Sequence, residues 1–244
     1  SRGLQLGWNA YHNKTYFEHL HALPAAHNLI YKPDGKIEKY RYWDIDTQQT
    51  VKIGKDEAID RFRNLFMESV DLLMRSDVEV GGCLSGGLDS SAIASVIGKK
   101  FPQTSFKTFT VYYEGADAVD ERPWVSEVLK KYPQLDPYYF TPTDDDIRNN
   151  FEKAIYHADV HLAGSSPISQ YFVMQLAASK GIKVLLDGQG SDEMLGGYMH
   201  SFYRLLGDQF KNFRLGRAMK ELNSHSQRQE FSAGKKADLL LKSI

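Results

Sequence analysis

Val80-Gly81-Gly82-Cys83-Leu84-Ser85-Gly86-Gly87-Leu88-Asp89-Ser90-Ser91 decides the fold. Residues 78–84 read as a short buried strand, the next seven as a loop, and the chain to about residue 100 as a helix. Two adjacent glycines let the main chain approach a ligand closely and turn its N–H groups inward. The serine hydroxyls add donors, and the helix brings the positive end of its dipole to the same point. Such a loop suits phosphate groups. It lacks the Gly-Lys-Ser/Thr ending of the commoner phosphate loop. Asp89 sharpens the reading, because a carboxylate facing phosphates is repulsive unless a divalent cation stands between them. The chemistry expected here is a magnesium-bound pyrophosphate.

Outward from this loop the pattern alternates. Ile59, Phe62, Leu65, Phe66, Val70 and Leu73 recur at helical spacing over 56–75. Residues 106–113 read as a strand, 121–132 as a helix and 137–140 as a short strand. Two helices follow, at 144–158 and 167–180, the second closed by Gly181. Residues 183–187 form a strand, and 188–197 a glycine-rich turn leading into a helix. Strands alternating with helices predict an α/β fold, a parallel sheet covered on both faces. Ligands of such sheets sit beyond the carboxyl ends of the strands, where both glycine-rich loops fall.

The second loop is Asp187-Gly188-Gln189-Gly190-Ser191-Asp192-Glu193, continuing to Gly196-Gly197-Tyr198. Asp192 is a candidate second carboxylate for the same magnesium, and Glu193 either a further ligand or an acid favoured at a helix N-terminus. Read alone, this loop is as consistent with a structural turn as with a site.

Composition narrows the field. Thirty basic and 31 acidic residues cancel to a net charge of -1, so neither nucleic acid nor an anionic membrane is an expected partner. Cys83 is the single cysteine, which excludes an internal disulfide and points to a small core side chain. No apolar run approaches the roughly 20 residues of a membrane span, and no signal peptide opens the chain, so a cytoplasmic protein is expected. Residues 28–31 and 37–43, joined at Asp34-Gly35, read as a hairpin too small to stand alone in water. The start at Ser1-Arg2-Gly3 and the helical pattern running through Leu239-Leu240-Leu241 read as a piece of a longer protein.

The two loops resemble the synthetase domain of class B, glutamine-hydrolysing asparagine synthetases and their relatives, the β-lactam synthetases among them. Asp120-Glu121 with Trp124-Val125 and Val128-Leu129 resembles the family's acidic-pair helix. Ser166-Pro167 with Tyr171 and Gly181-Ile182-Lys183-Val184-Leu185-Leu186 resemble the helix and strand before the second motif. Leu23-Pro24-Ala25-Ala26-His27 and Arg41-Tyr42-Trp43-Asp44 resemble the last strands of the family's glutaminase domain. The resemblance therefore implies a glutaminase remnant and linker over 1–45 and a synthetase domain of adenine nucleotide alpha hydrolase type, with a PP-loop, over 56–244.

It also implies a reaction, in which ATP adenylates a carboxylate, typically that of aspartate, and ammonia derived from glutamine displaces AMP. Carried over position by position, Ser85, Gly86, Gly87, Asp89 and Ser90 would bind ATP and its pyrophosphate, and Asp89 and Asp192 would hold Mg2+. Leu84, Val111, Asp187 and Gly188 would border the nucleotide, and Gln189 with Asp89 would serve catalysis. A homodimer is compatible with the resemblance.

Two positions depart from the family. Gln189 stands where asparagine synthetases usually carry glutamate, and it cannot hold or release a proton near neutral pH. Ala158-Asp159-Val160 replaces an Asp-Glu-Pro segment. Both favour an alternative in which the same adenylation serves another acceptor, in a β-lactam or other amide-forming relative. A non-catalytic nucleotide-binding module is the non-enzyme alternative, opposed by the presence of both Asp89 and Asp192. His157 and His161, four apart, are candidate ligands on a shared helix face but lack a third partner. His12, His19, His21 and His27 lie in a hairpin-rich segment and carry no collective meaning, Tyr138-Tyr139-Phe140 read as core, and Asp144-Asp145-Asp146 as a helix start.

Overall fold

A computed structural model describes residues 13–115, 120–162 and 164–228. His12 and the 235–241 pattern lie outside the described residues. The described chain divides after Asp187 into two compact units.

The first unit opens with a hairpin, β1 (His27–Tyr31) and β2 (Ile37–Arg41), in antiparallel register with Tyr31 opposite Ile37. Gly35, at φ +83°, supplies the left-handed residue that the turn needs. Leu29, Tyr31 and Ile37 on one face and Ile30 and Tyr40 on the other are all exposed. Trp43 falls two residues past the end of β2.

Helix α1 (Lys55–Leu73) leads to β3 (Val80–Cys83), α2 (Leu88–Lys100), β4 (Phe106–Val111), α3 (Arg122–Lys131), β5 (Leu135–Phe140), α4 (Asp144–Ala158), α5 (Ser166–Ser179) and β6 (Val184–Leu186). The four strands β3 to β6 form one parallel sheet in the order β5-β4-β3-β6. The chain steps from β3 outward to β5 and then returns to the far side of β3. That reversal puts the switch point at the carboxyl ends of β3 and β6, where such sheets usually form their ligand crevice.

Alternation along the strands builds a layer on each face. Val80, Leu84, Phe106, Leu135 and Leu186 pack with Val70, Ala94, Ile97 and Val125 from α1, α2 and α3. Phe109, Cys83, Val111 and Leu185 turn the other way, toward Val173, Leu176 and Ala177 of α5. Phe140 and Phe172 join α4 and α5 to that layer, through Ala154 and Ile168. Gly81 and Gly82 leave room for the rings of Phe109 and Phe106 to lie over β3.

Local signals end the helices. Thr143 caps α4 through a reciprocal box with Asp146, while Asp144 and Asp145 occupy the first turn. Gly181, at φ +77°, lets the amides of Gly181 and Ile182 close on Ala178 and Ala177. The second unit contains α6 (Ser191–Leu195), α7 (Met199–Lys211) and α8 (Leu215–Arg228). Leu206, Ala218 and Leu222 form the core between α7 and α8.

Candidate active site at the sheet's carboxyl edge

The Ser85–Ser91 loop is held by its own hydroxyls. Leu84 is fully buried, its amide donating to the carbonyl of Phe109 and its carbonyl accepting from the Thr110 hydroxyl. Both of its main-chain groups are therefore taken up within the sheet, and it anchors the start of the loop. The Ser85 amide donates to Ser90 Oγ at 3.2 Å, and the two hydroxyls lie 3.0 Å apart. The Gly87 amide donates to Ser85 Oγ, and Ser90 Oγ donates to the Gly87 carbonyl. Gly86 takes φ +81°, which turns the chain between β3 and α2. Asp89 stands in the first turn of α2, where the dipole favours its charge.

The start of α3 closes on this loop. A Cβ on Gly86 would meet the Glu121 carbonyl oxygen at 2.7 Å and Cβ of Trp124 at 3.0 Å. The acidic pair therefore has two different tasks. Asp120 is paired with Arg122 at 2.8 Å, and that hydrogen bond holds its carboxyl below the usual range. The Arg122 guanidinium also lies 4.2 Å over the Tyr112 ring. Glu121 presents its main chain to Gly86, and partial burial raises its carboxyl above the usual range.

On the other side of the crevice, Asp187 directly follows β6. Gln170 of α5 donates from Nε2 to Asp187 Oδ2 at 2.9 Å. Cys83, one rung beyond the paired residues Gly82 and Leu186, lies against both. Burial first, and the Asp187 carboxylate second, push its thiol up to about 12, so it is a core residue and not a nucleophile. Val111 ends β4 within the α5 layer. Beside it, the Tyr113 hydroxyl meets Ser169 Oγ at 2.6 Å.

The second loop folds around itself. Gly190, at φ +94°, precedes α6, a short helix inside what the sequence presented as one turn; Gly196, at φ +70°, ends it. Ser191 Oγ donates to the Gly188 carbonyl at 2.9 Å. Asp192 lies in the first turn of α6, and a Cβ on Gly197 would fall 1.8 Å from its Oδ1. Glu193 accepts from the Tyr198 hydroxyl at 3.1 Å, so its carboxylate has a structural partner. Gln189 is exposed.

The first unit thus gathers Leu84, Ser85, Gly86, Gly87, Asp89, Ser90, Val111 and Asp187; Gly188, Gln189 and Asp192 belong to the second. The two histidines do not form a pair. Helix α4 ends at Ala158, Asp159 turns left-handed at φ 55°, and His161 falls on the following loop. His157 stacks on Tyr171, and His161 meets the edge of Tyr16. Among the described residues no three His, Cys, Asp or Glu side chains gather as a metal cluster, and no helix is long and apolar enough to cross a membrane. Gln170 escaped the sequence reading. Its one signal is an amide on the same helical stripe as Val173 and Ala177, which face the sheet.

A doubly covered parallel sheet with a Ser-Gly-Gly-Leu-Asp-Ser loop at its switch point defines an α/β protein of the PP-loop class. Residues 61–240 match the family model described as asparagine synthase. The chain belongs to that family. It is 33% identical over 187 residues to a putative glutamine-hydrolyzing asparagine synthetase 2 of Methanocaldococcus jannaschii, covering 76% of this chain and 35% of the relative. It is 33% identical over 186 residues to glutamine-hydrolyzing asparagine synthetase 1 of Bacillus subtilis, covering 75% and 28%. It is also 25% identical over 201 residues to the amidase chyE of Penicillium rubens, covering 76% and 30%. The chain thus spans about a third of the length of these relatives.

Proposed function

We propose that this chain is the ATP-binding, amide-forming part of a carbon–nitrogen ligase of asparagine-synthetase type. The observation that carries the reading is the Ser85–Ser91 loop, built at the carboxyl end of β3 with Asp187 across the crevice. Main-chain amides, two serine hydroxyls and the start of α2 form an anion cradle whose own carboxylate, Asp89, calls for a cation. Asp89 and Asp192, each in the first turn of a helix after a glycine-rich loop, are the residues that would hold magnesium. The ion would neutralise charge on the departing pyrophosphate.

A substrate carboxylate oxygen attacks the α-phosphorus of ATP, the bond to the β,γ-diphosphate breaks, and acyl-adenylate and pyrophosphate form. Ammonia then adds to the acyl carbon; the bond to AMP breaks, a proton leaves the nitrogen, and the amide remains. The loop's part is to orient the diphosphate and stabilise charge as it departs. Gln189 cannot serve as an acid or base, so its part is to orient by hydrogen bonds. The hairpin supports a further domain upstream, because a two-stranded ribbon that exposes Leu29, Tyr31 and Ile37 on one face is too small to stand alone in water. We assign that place to a glutaminase domain that supplies the ammonia.

Gln189 and the Ala158-Asp159-Val160 segment favour a second reading, the same adenylation with an acceptor other than aspartate. The match to a relative named amidase supports it too. The test supplies the full-length protein with ATP, magnesium, ammonium and a panel of carboxylic acids including aspartate, scoring AMP, pyrophosphate and new amide by mass spectrometry. Aspartate-dependent AMP and asparagine support the first reading, and AMP with another acid alone supports the second. A folded, full-length protein that forms no AMP with any acid would sink both.

A further inference from the structure

Three polar groups from three elements meet where β3 and β6 end. Leu185 packs into the α5 layer, and Asp187, two residues on, keeps to that side of the sheet. There Gln170 donates to its Oδ2 at 2.9 Å, and Cys83 of β3 lies against both side chains. Gln170 shares a stripe with Val173 and Ala177, so the amide stands at the end of an apolar face and not among exposed polar residues. A half-buried carboxylate at a ligand crevice, gripped from a neighbouring helix, has its direction set by that grip.

The chemistry of the position selects what Asp187 can receive. A carboxylate repels phosphates, and the carboxylates proposed for magnesium, Asp89 and Asp192, each stand in the first turn of a helix, whereas Asp187 directly follows a strand and is held by Gln170. It accepts O–H and N–H groups, and the only uncharged donors on ATP are the ribose hydroxyls and the adenine amine. Resting on the ATP-binding reading above, we propose that Gln170 is a positioning residue that orients the Asp187 carboxylate to accept a hydrogen bond from the nucleoside of ATP. Asp187 is then a determinant of nucleoside selectivity, and Gln170 acts on the ligand only through it.

The test measures binding of magnesium–ATP and magnesium–pyrophosphate to the full-length protein by calorimetry, beside thermal unfolding. Asp187→Asn should weaken ATP at least about tenfold, the loss expected of one charge-assisted hydrogen bond. Gln170→Leu should weaken ATP by about threefold to tenfold, as for one lost neutral hydrogen bond. Pyrophosphate, which has no nucleoside, should keep its affinity in both variants. With the wild-type protein, 2′-deoxy-ATP, 3′-deoxy-ATP and inosine triphosphate identify the donor. One of them should bind as weakly as ATP binds Asp187→Asn, and should lose no further affinity to that substitution.

Failure to bind any ATP in the wild-type protein overturns both this inference and the proposed function. Normal ATP binding by a stable Gln170→Leu protein overturns the inference alone. A parallel fall in ATP affinity, pyrophosphate affinity and thermal midpoint assigns Gln170 to the fold and overturns it too. If Gln170→Leu does not fold, the three analogues still decide: equal affinity of all three with ATP overturns the inference.

Discussion

Gly86 and Glu121 meet main chain to main chain: a Cβ on Gly86 would stand 2.7 Å from the Glu121 carbonyl oxygen, in a residue already at φ +81°. The Ser85–Ser91 loop is therefore braced by the first turn of α3, and a side chain at residue 86 would push the two apart. Gly86→Ala should cost about 1–2 kcal/mol for the left-handed conformation alone, with the clash adding to it. Denaturant unfolding reads that loss, and calorimetry should show magnesium–ATP affinity falling in the same variant. Unchanged stability together with unchanged affinity would disprove the brace.

Gly197 bears on Asp192 in a different way. A Cβ there would fall 1.8 Å from Asp192 Oδ1, at the far end of a movable side chain, so the fold can adapt where the carboxylate cannot stay. Gly197→Ala should leave the unfolding free energy within about 1 kcal/mol of wild type, as for substitutions relieved by a side-chain shift. The magnesium concentration needed for half-maximal ATP binding should rise. An unaltered magnesium titration would separate Asp192 from the metal.

Two buried threonines of β4 make opposite predictions. The Thr110 hydroxyl donates to the Leu84 carbonyl, whereas Thr108 Oγ1 is buried without a hydrogen-bond partner among the described residues. Thr110→Val should destabilise by about 1–2 kcal/mol, and Thr108→Val should be neutral or stabilising. Equal effects from the two valines in denaturant unfolding would contradict this assignment.

Cys83 carries a pH signature. Its thiol, ordinarily at 9.0, is pushed up to about 12 in the folded protein, by burial first and Asp187 second. Folded protein therefore holds a proton that the unfolded chain has lost. The stabilisation is complete below pH 9.0 and is lost as pH rises toward about 12. Against Cys83→Ala, wild-type stability should fall with a slope of up to about 1.4 kcal/mol per pH unit in that window. Iodoacetamide at neutral pH should modify the native protein far more slowly than the unfolded one. Rapid native alkylation would refute the buried thiol.

The order of elements along the chain was open to reading because each depends on neighbours in the chain. An apolar run ending in Ser-Gly-Gly has to be a strand that stops, and Asp144-Asp145-Asp146 mark the start of a helix, which Thr143 caps. Short-range periodicity failed where a single residue turned the chain. Asp159, left-handed, takes His161 off the helix that its spacing from His157 suggested, and Gly190 and Gly196 enclose a short helix within a run that looked like one turn.

By itself the sequence determined the α/β class, the glycine-rich loop between β3 and α2 and the family resemblance, since each rests on residue types at short, fixed spacing. Only the tertiary structure decided that Gln170 grips Asp187, that Glu121 closes on Gly86, and that Asp120 is tied to Arg122 and not left facing the loop. Gln170 stands 17 residues from Asp187, and Gly86 far from Glu121 in the chain. Such pairs meet because a parallel sheet carries the ends of distant strands and helices to one edge, and that convergence leaves no pattern in the order of residues.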